Sequence, residues 1–321
     1  MGACGVRKST IVELRDPRHA GAYIHCPRLS LQHILAVRRK CYIRISGGPF
    51  AAVPPTVQEE YDQHYIDMGR FSALSSYQGF LPLLRILLTR EPSINVFLSQ
   101  LWVTITTESA QWNEDTKCLS RIMAATLTDF AVMMRRSDFN RTSERTFWVE
   151  SVVPMFKYFA AETNYITFSW CGADVVSHSD SQLIPGVWLN ETTQLLADGL
   201  GQAGRFEVLI MESSSGYEQE IPQRTVDGTI KVTRCMIDSL RMERNKYNFA
   251  SFETAKRLAT FGIQCVCNKI TLLQANMFDE NTWQIVEVRS AEIPTKWEDR
   301  TAMMSVAEFL AKLQVSWLQN L

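Results

Sequence analysis

Phe206-Glu-Val-Leu-Ile-Met-Glu212-Ser-Ser-Ser-Gly216 is the stretch on which the reading of this chain turns. Phe206, Val208 and Ile210 alternate along one face of a strand, and Glu212 continues that face. Beyond Glu212 the chain turns polar at Ser213, Ser214, Ser215 and Gly216. An apolar run that delivers a carboxylate to its C-terminal end is where open α/β sheets place chemistry. Upstream, Ala173-Asp174-Val175-Val176 offers a second carboxylate on a strand-like segment. Asp174 and Glu212 are thus either a metal-holding pair or merely the ends of two strands.

Outward from this stretch the pattern alternates between helix and strand. Arg145 to Ala160 is apolar on most sides, as in a helix packed against a sheet, and Glu150 is the one acid in its central part. Pro154 removes a backbone donor there and predicts a kink. Strands are expected at Tyr165–Trp170, Ala173–Ser177, Val187–Leu189 and Arg205–Glu212. Gly199, Gly201 and Gly204 read as a loop before the last of these. It is not a phosphate loop, because no Lys-Ser/Thr follows and it leads into a strand. After a polar loop to Asp227-Gly228, a helix is expected over Thr229–Glu243. Lys231 falls in its first turn, an unfavourable place for a cation unless an anion is near. Strands follow at Ala259–Cys267, Lys269–Met277 and Thr282–Ser290, with Cys267-Asn268 a hairpin connection in which Asn268 takes positive φ. Ala302–Leu321 reads as a final amphipathic helix. The order predicts an α/β fold, a mixed central sheet flanked by helices.

Upstream the chain divides in two. Residues 1–58 read as an irregular leader, broken by Gly47-Gly48-Pro49 and Pro54-Pro55. Its basic cluster, Arg38, Arg39, Lys40 and Arg44 around Tyr42, reads as solvated. Residues 59–137 form a small helical region with apolar stripes over 81–88, 94–110 and 119–134. Residues 138–321 are the α/β domain.

Composition narrows the function classes. With 46% hydrophobic and 21% charged residues, the chain is that of a packed globular protein. A net charge of −1 supplies no global basic field, so any nucleic-acid contact must come from local patches. The eight cysteines form no CxxC pair, which argues against a structural zinc site. Cys265 and Cys267 read as small core residues. Met1 to Arg7 lacks the apolar core of a secretory signal. Pro92–Thr107, the longest uncharged run, is too short and polar to span a bilayer, so no membrane partner is expected. An intracellular setting, cytoplasmic or nuclear, follows. His178 and Asp180 sit in a polar Ser-His-Ser-Asp-Ser loop, and no Gly-x-Ser-x-Gly elbow exists to pair with them.

Three acids remain, each at a definite place: Glu150 on the first helix, Asp174 on a strand and Glu212 at the end of a core strand. This arrangement over residues 143–300 resembles the PD-(D/E)xK, restriction-endonuclease-like family. It is similar to fungal proteins with a Glu-Arg-x-Phe helix, an Ala-Asp pair and a Glu-x-Ser-Gly strand end, allied to the nuclease-like domains of mobile elements and Crinkler-type effectors. The resemblance implies a helix glutamate, a strand aspartate and a Glu-x-Lys strand, whose acids hold Mg²⁺ while the lysine positions the attacking water. It casts Asp174 and Glu212 as metal ligands, with Glu150 as helper. The chemistry asks for hard oxygen ligands and a polarised water in line with the phosphodiester.

The chain departs from that pattern. Ser214 stands two after Glu212, where the family has lysine, and Ala173 stands where it has proline. The gap from Asp174 to Glu212 is 212 − 174 = 38 residues, which needs an insertion around Asn190–Gly204. Lys231 is the candidate replacement for the lysine. Two expectations follow: a nuclease-fold protein with degenerate activity that binds nucleic acid or protein, or a Mg²⁺-dependent nuclease using Asp174 and Glu212 with Glu150, Ser214 and Lys231 around them.

Overall fold

The computed structural model describes residues 12–16, 19–24, 41–44, 53–90, 93–136, 143–181, 194–215, 219–247, 249–280 and 282–320. Among these, nine strands form one mixed sheet. They are β1 (Val12–Asp16), β2 (His19–Ile24), β3 (Cys41–Arg44), β4 (Thr167–Asp174), β5 (Leu196–Ala203), β6 (Phe206–Ser214), β7 (Ala259–Val266), β8 (Lys269–Asp279) and β9 (Thr282–Glu292). The order across the sheet is β1-β2-β3-β9-β8-β7-β6-β5-β4. β4, β5 and β6 form an antiparallel meander, and β6 then pairs parallel with β7. A parallel pair needs a long crossover. Here it contains α9 (Pro222–Lys246), which lies against β6 and β7.

Before the meander come α1 (Pro55–Gly69), α2 (Ser72–Ser75), α3 (Phe80–Arg90), α4 (Ile94–Ser109) and α5 (Glu114–Met134), then α6 (Glu144–Phe147), a π turn (Trp148–Val152) and α7 (Val153–Thr163). The short α8 (Val176–Ser181) follows β4, α10 (Phe252–Ala255) precedes β7, and α11 (Met303–Asn320) ends the fold. The π turn sits where the Pro154 kink was expected. Proline there offers no N–H to the carbonyl four residues back and crowds it, so the helix widens by a residue.

Alternation along the strands separates two apolar layers. Leu209, Met211, Phe261 and Ile263 join the larger cluster, with Leu127 of α5, Phe156 of α7 and Phe309 of α11. Ile210, Leu273 and Ala275 point the other way, onto Val232 and Met236 of α9. That helix sits very close to β7. A Cβ at Gly262 would lie 2.6 Å from both Met236 Sδ and Val232 Cγ1, so only glycine fits.

The helical region and the α/β part share the larger cluster, so residue 138 marks a change of pattern and not a gap in packing. A buried ion pair strengthens the join. Arg289 Nε on β9 donates to Glu308 Oε1 on α11 at 2.9 Å, and Glu308 also accepts from the backbone N–H groups of Ala73 and Leu74.

Several elements differ from the sequence reading. Within the expected leader, β1 to β3 extend the sheet beyond β9, with Cys41 opposite Trp283. Tyr42 and Arg44 lie on β3, whereas Arg38, Arg39 and Lys40 lie outside the described residues, as does Val187–Leu189. Trp170 and Ala173 belong to one strand, interrupted by a bulge at Cys171 and Gly172, both with positive φ. The chain then enters α8 at Val176, where strand was expected. β5 occupies Leu196–Ala203, where the glycines suggested a loop. In the β7–β8 turn, positive φ falls on Cys267 rather than Asn268. No helix among the described residues is long and apolar enough to cross a membrane.

Candidate active site

Glu212 lies near the end of β6, opposite Gln264 of the parallel strand β7, and the serines after it are buried as well. Its face is that of Ile210, the side covered by α9. There Lys231 Nζ donates to Glu212 Oε1 at 2.7 Å. The two side chains are 12% and 24% exposed, Glu212 the less, so the pair is largely withdrawn from water. Lys231 reaches the strand because Gly228, one turn earlier, lets the helix approach. A Cβ at Gly228 would lie 3.2 Å from Ser214 Oγ and 3.4 Å from Glu212 Cγ.

The second carboxylate comes from β5. The antiparallel register ends with Gly199 opposite Met211, and Asp198, the residue just beyond it, lies near enough for its charge to act on Glu212. Asp198 Oδ2 accepts from the Ser213 N–H at 2.9 Å. A third carboxylate approaches from α6. Glu144, beside the N-cap Ser143, accepts from the Ser215 backbone N–H, and Arg224 Nη1 of α9 lies 3.6 Å from its Oε2.

The electrostatics follow from this crowding. Burial, reinforced by the Asp198 charge, pushes the Glu212 carboxyl up to about 7; Lys231 opposes that shift without cancelling it. Glu144 is likewise raised, by burial first and Asp198 second. Glu212 Oε2 and Ser214 Oγ are buried with no hydrogen-bond partner among the described residues. A buried carboxylate oxygen with no donor is costly unless something else satisfies it. No three or more His, Cys, Asp or Glu residues converge closely enough to hold a metal ion among the described residues. A cation here would rest on two carboxylates and its own waters, the usual manner for Mg²⁺.

Of the residues singled out in sequence, Glu212, Ser214 and Lys231 come together. Lys231 is not in a first turn: α9 begins at Pro222 and runs through Gly228, where a loop had been expected. Asp174 is exposed on β4, opposite Leu196. With β5 between β4 and β6, its backbone stands two strand spacings away across the sheet, at least ~10 Å from that of Glu212. Glu150 lies in the π turn, where its Oε2 accepts from Arg136 Nη1 at 2.8 Å. The small cavity beside it is lined by Thr126, Ser151, Met155 and Met303, residues that do not belong to the Glu212 cluster.

Two members of the cluster escaped the sequence reading. Asp198 was hidden by the glycine-rich wording of β5. The signal was the turn residue Gly204, whose positive φ closes the β5–β6 hairpin. Glu144 looked like an ordinary first-turn acid. His178, read as part of a polar loop, is fully buried, with Nδ1 2.9 Å from Asp238 Oδ2 of α9. It packs α8 onto that helix, away from solvent. Compared with known proteins, the chain matches no family model, no curated protein and no solved structure.

Proposed function

We propose that this chain carries a divergent PD-(D/E)xK-like nuclease site, in which Glu212 and Asp198 hold Mg²⁺ and Lys231 supplies the cation that Ser214 cannot. The observation that carries this reading is the Glu212 carboxylate itself. It is buried near a strand end, paired through one oxygen to a lysine from another element, within reach of the Asp198 charge, and unpartnered at its other oxygen among the described residues. Helix, three-strand meander, helix and parallel strand, in that chain order, suit the same reading.

The residues fit the metal. Their donors are hard carboxylate oxygens, and the free Oε2 of Glu212 is an acceptor in need of a cation. When bound, Mg²⁺ would supply Lewis-acid activation of water and neutralise charge on the phosphodiester. Lys231, held at Glu212 Oε1, would keep positive charge beside the attacked phosphate. Glu144 would orient waters at the rim, with Arg224 beside it. Asp198, fixed by the Ser213 N–H, would hold its carboxylate in place without a rotamer search. A reducing intracellular setting, cytoplasmic or nuclear, suits the buried thiols of Cys235 and Cys265.

The test is metal-dependent cleavage of DNA and RNA by the full chain beside Glu212→Ala and Asp198→Ala. Cleavage should require added Mg²⁺ or Mn²⁺ and vanish in both variants. Cleavage that survives Glu212→Ala sinks the assignment. A second reading rests on Ser214, whose buried hydroxyl occupies the family's lysine position. In that reading activity is lost and the fold binds nucleic acid or protein. Metal and nucleic-acid binding without cleavage would select it.

A further inference from the structure

The two orphaned groups of the site, Glu212 Oε2 and Ser214 Oγ, lie beneath the first turns of α9. The Cβ position of Gly228 stands 3.2 Å from Ser214 Oγ and 3.4 Å from Glu212 Cγ, so the helix backbone closes directly over them. The two parts of α9 are held by different forces. From Val232 to Leu240 the helix rests on the apolar layer through Val232, Cys235, Met236, Ile237 and Leu240, and His178 grips Asp238. From Pro222 to Lys231, Val226 is the one fully buried member of that layer among the described residues. The rest of the attachment there is polar. Gln264 Nε2 on β7 donates to the Thr225 carbonyl at 3.1 Å and to the Thr229 hydroxyl. The Ile221 N–H donates to Ser215 Oγ at 2.8 Å, Arg224 lies beside Glu144, and Lys231 closes the row on Glu212. Water can replace polar partners at small net cost, whereas lifting a helix off an apolar layer exposes that layer. Local preference points the same way. Thr225-Val-Asp-Gly-Thr-Ile230 is a run of weak helix formers, glycine the weakest.

We propose that Pro222–Lys231 is a hinged cover over Glu212, latched by Gln264, and that a divalent cation reaches the Glu212–Asp198 site only when this cover lifts. The identity of the ligand rests on the nuclease-like reading; the motion does not. Segments that open locally are those with few buried apolar contacts, and these turns have few. Unwinding them uncovers Glu212 Oε2 and Ser214 Oγ. It also takes Lys231, whose charge repels an incoming cation, off the carboxylate. Rewinding returns the lysine to Glu212 with the cation beside it. Gln264 is a positioning residue in this scheme. It acts through α9, by setting the fraction of time the cover is open.

The experiment is hydrogen–deuterium exchange of the full chain in EDTA, native beside Gln264→Leu. Corrected for intrinsic rates, amides 225–231 should exchange at least about tenfold faster than amides 232–240. Gln264→Leu removes two hydrogen bonds at similar bulk, and should speed 225–231 about tenfold further while leaving 232–240 unchanged. A second arm locks the cover. The Gly228 Cβ position lies 3.4 Å from Ser214 Cβ, close to the ~3.8 Å of a disulfide. Oxidised Ser214→Cys/Gly228→Cys, its bridge verified by peptide mapping, should bind Mn²⁺ at least about tenfold more weakly by electron paramagnetic resonance than the same protein reduced. Uniform exchange along α9 overturns the cover, as does a Gln264→Leu effect spread evenly through 232–240, or equal Mn²⁺ affinity in the locked and reduced forms. The two readings fail separately. Local exchange that answers to Gln264, in a native chain that binds no Mn²⁺, keeps the cover and sinks the nuclease; Glu212-dependent cleavage with uniform exchange along α9 does the reverse.

Discussion

Replacing Glu212 with glutamine should stabilise the protein, and do so only as pH rises. The fold raises this carboxyl from its usual 4.5 to about 7, because burial and the Asp198 charge outweigh Lys231. A raised acid favours the protonated native state. Its contribution to stability is fully present below about pH 4.5 and is lost as pH climbs through about 7. At 1.36 kcal/mol per decade, the total loss is about 3 kcal/mol, little screened because the side chain is only 12% exposed. Glutamine has nearly the same shape and no charge to lose. The stability of Glu212→Gln relative to the native chain should therefore climb by about 3 kcal/mol across that window, with a slope no steeper than about 1.4 kcal/mol per pH unit. For a chain of 321 residues this is roughly 5 °C in Tm. Urea unfolding of both proteins at a series of pH values reads the difference directly, since titrations elsewhere cancel. A difference curve that is flat, or that falls with pH, refutes the picture of a buried, strained carboxylate. Asp198→Asn offers a control. With the Asp198 charge gone, the window should move to lower pH.

Three further outcomes test other parts of the structure. Glu308→Ala strands Arg289, which is 2% exposed, and should cost about 3–5 kcal/mol in urea unfolding; replacing both with leucine should recover much of the loss. Gly262→Ala drives a methyl to 2.6 Å from Met236 and Val232, and should cost about 1–3 kcal/mol in the same measurement as α9 is pushed off β7. If the chain cleaves nucleic acid, Asp174→Ala and Glu150→Ala should leave metal-dependent cleavage within a few-fold of the native rate, whereas Asp198→Ala should abolish it, as single-turnover assays can measure.

The elements with strong periodicity were legible from residues alone. β6 to β9, the helices over 94–109 and 114–134, and the terminal helix stand within a few residues of their expected places. Each buries a continuous apolar face, and that requirement is written locally. Where packing overrides local preference, the reading failed. Gly199 and Gly201 look like a loop, yet they lie in a strand because their neighbours Ile166, Trp170 and Met211 leave no room for side chains. Gly228 looks like a turn, yet it sits inside α9 because the helix must press on Ser214 and Glu212.

The site divides in the same way. Sequence by itself determined that an apolar strand delivers Glu212 to its polar end and that no lysine follows two residues later; it singled out Lys231 on a first-turn placement that α9, beginning at Pro222, does not have. Only the tertiary structure decided which carboxylate faces Glu212. Asp174 and Asp198 both lie on strands of one meander. The β5–β6 hairpin brings Asp198 beside the end of β6, where it accepts from the Ser213 N–H, and leaves Asp174 a strand further away. Register depends on where the turn closes and on which side chains the facing helix admits. Neither is a property of the residues that end up in contact.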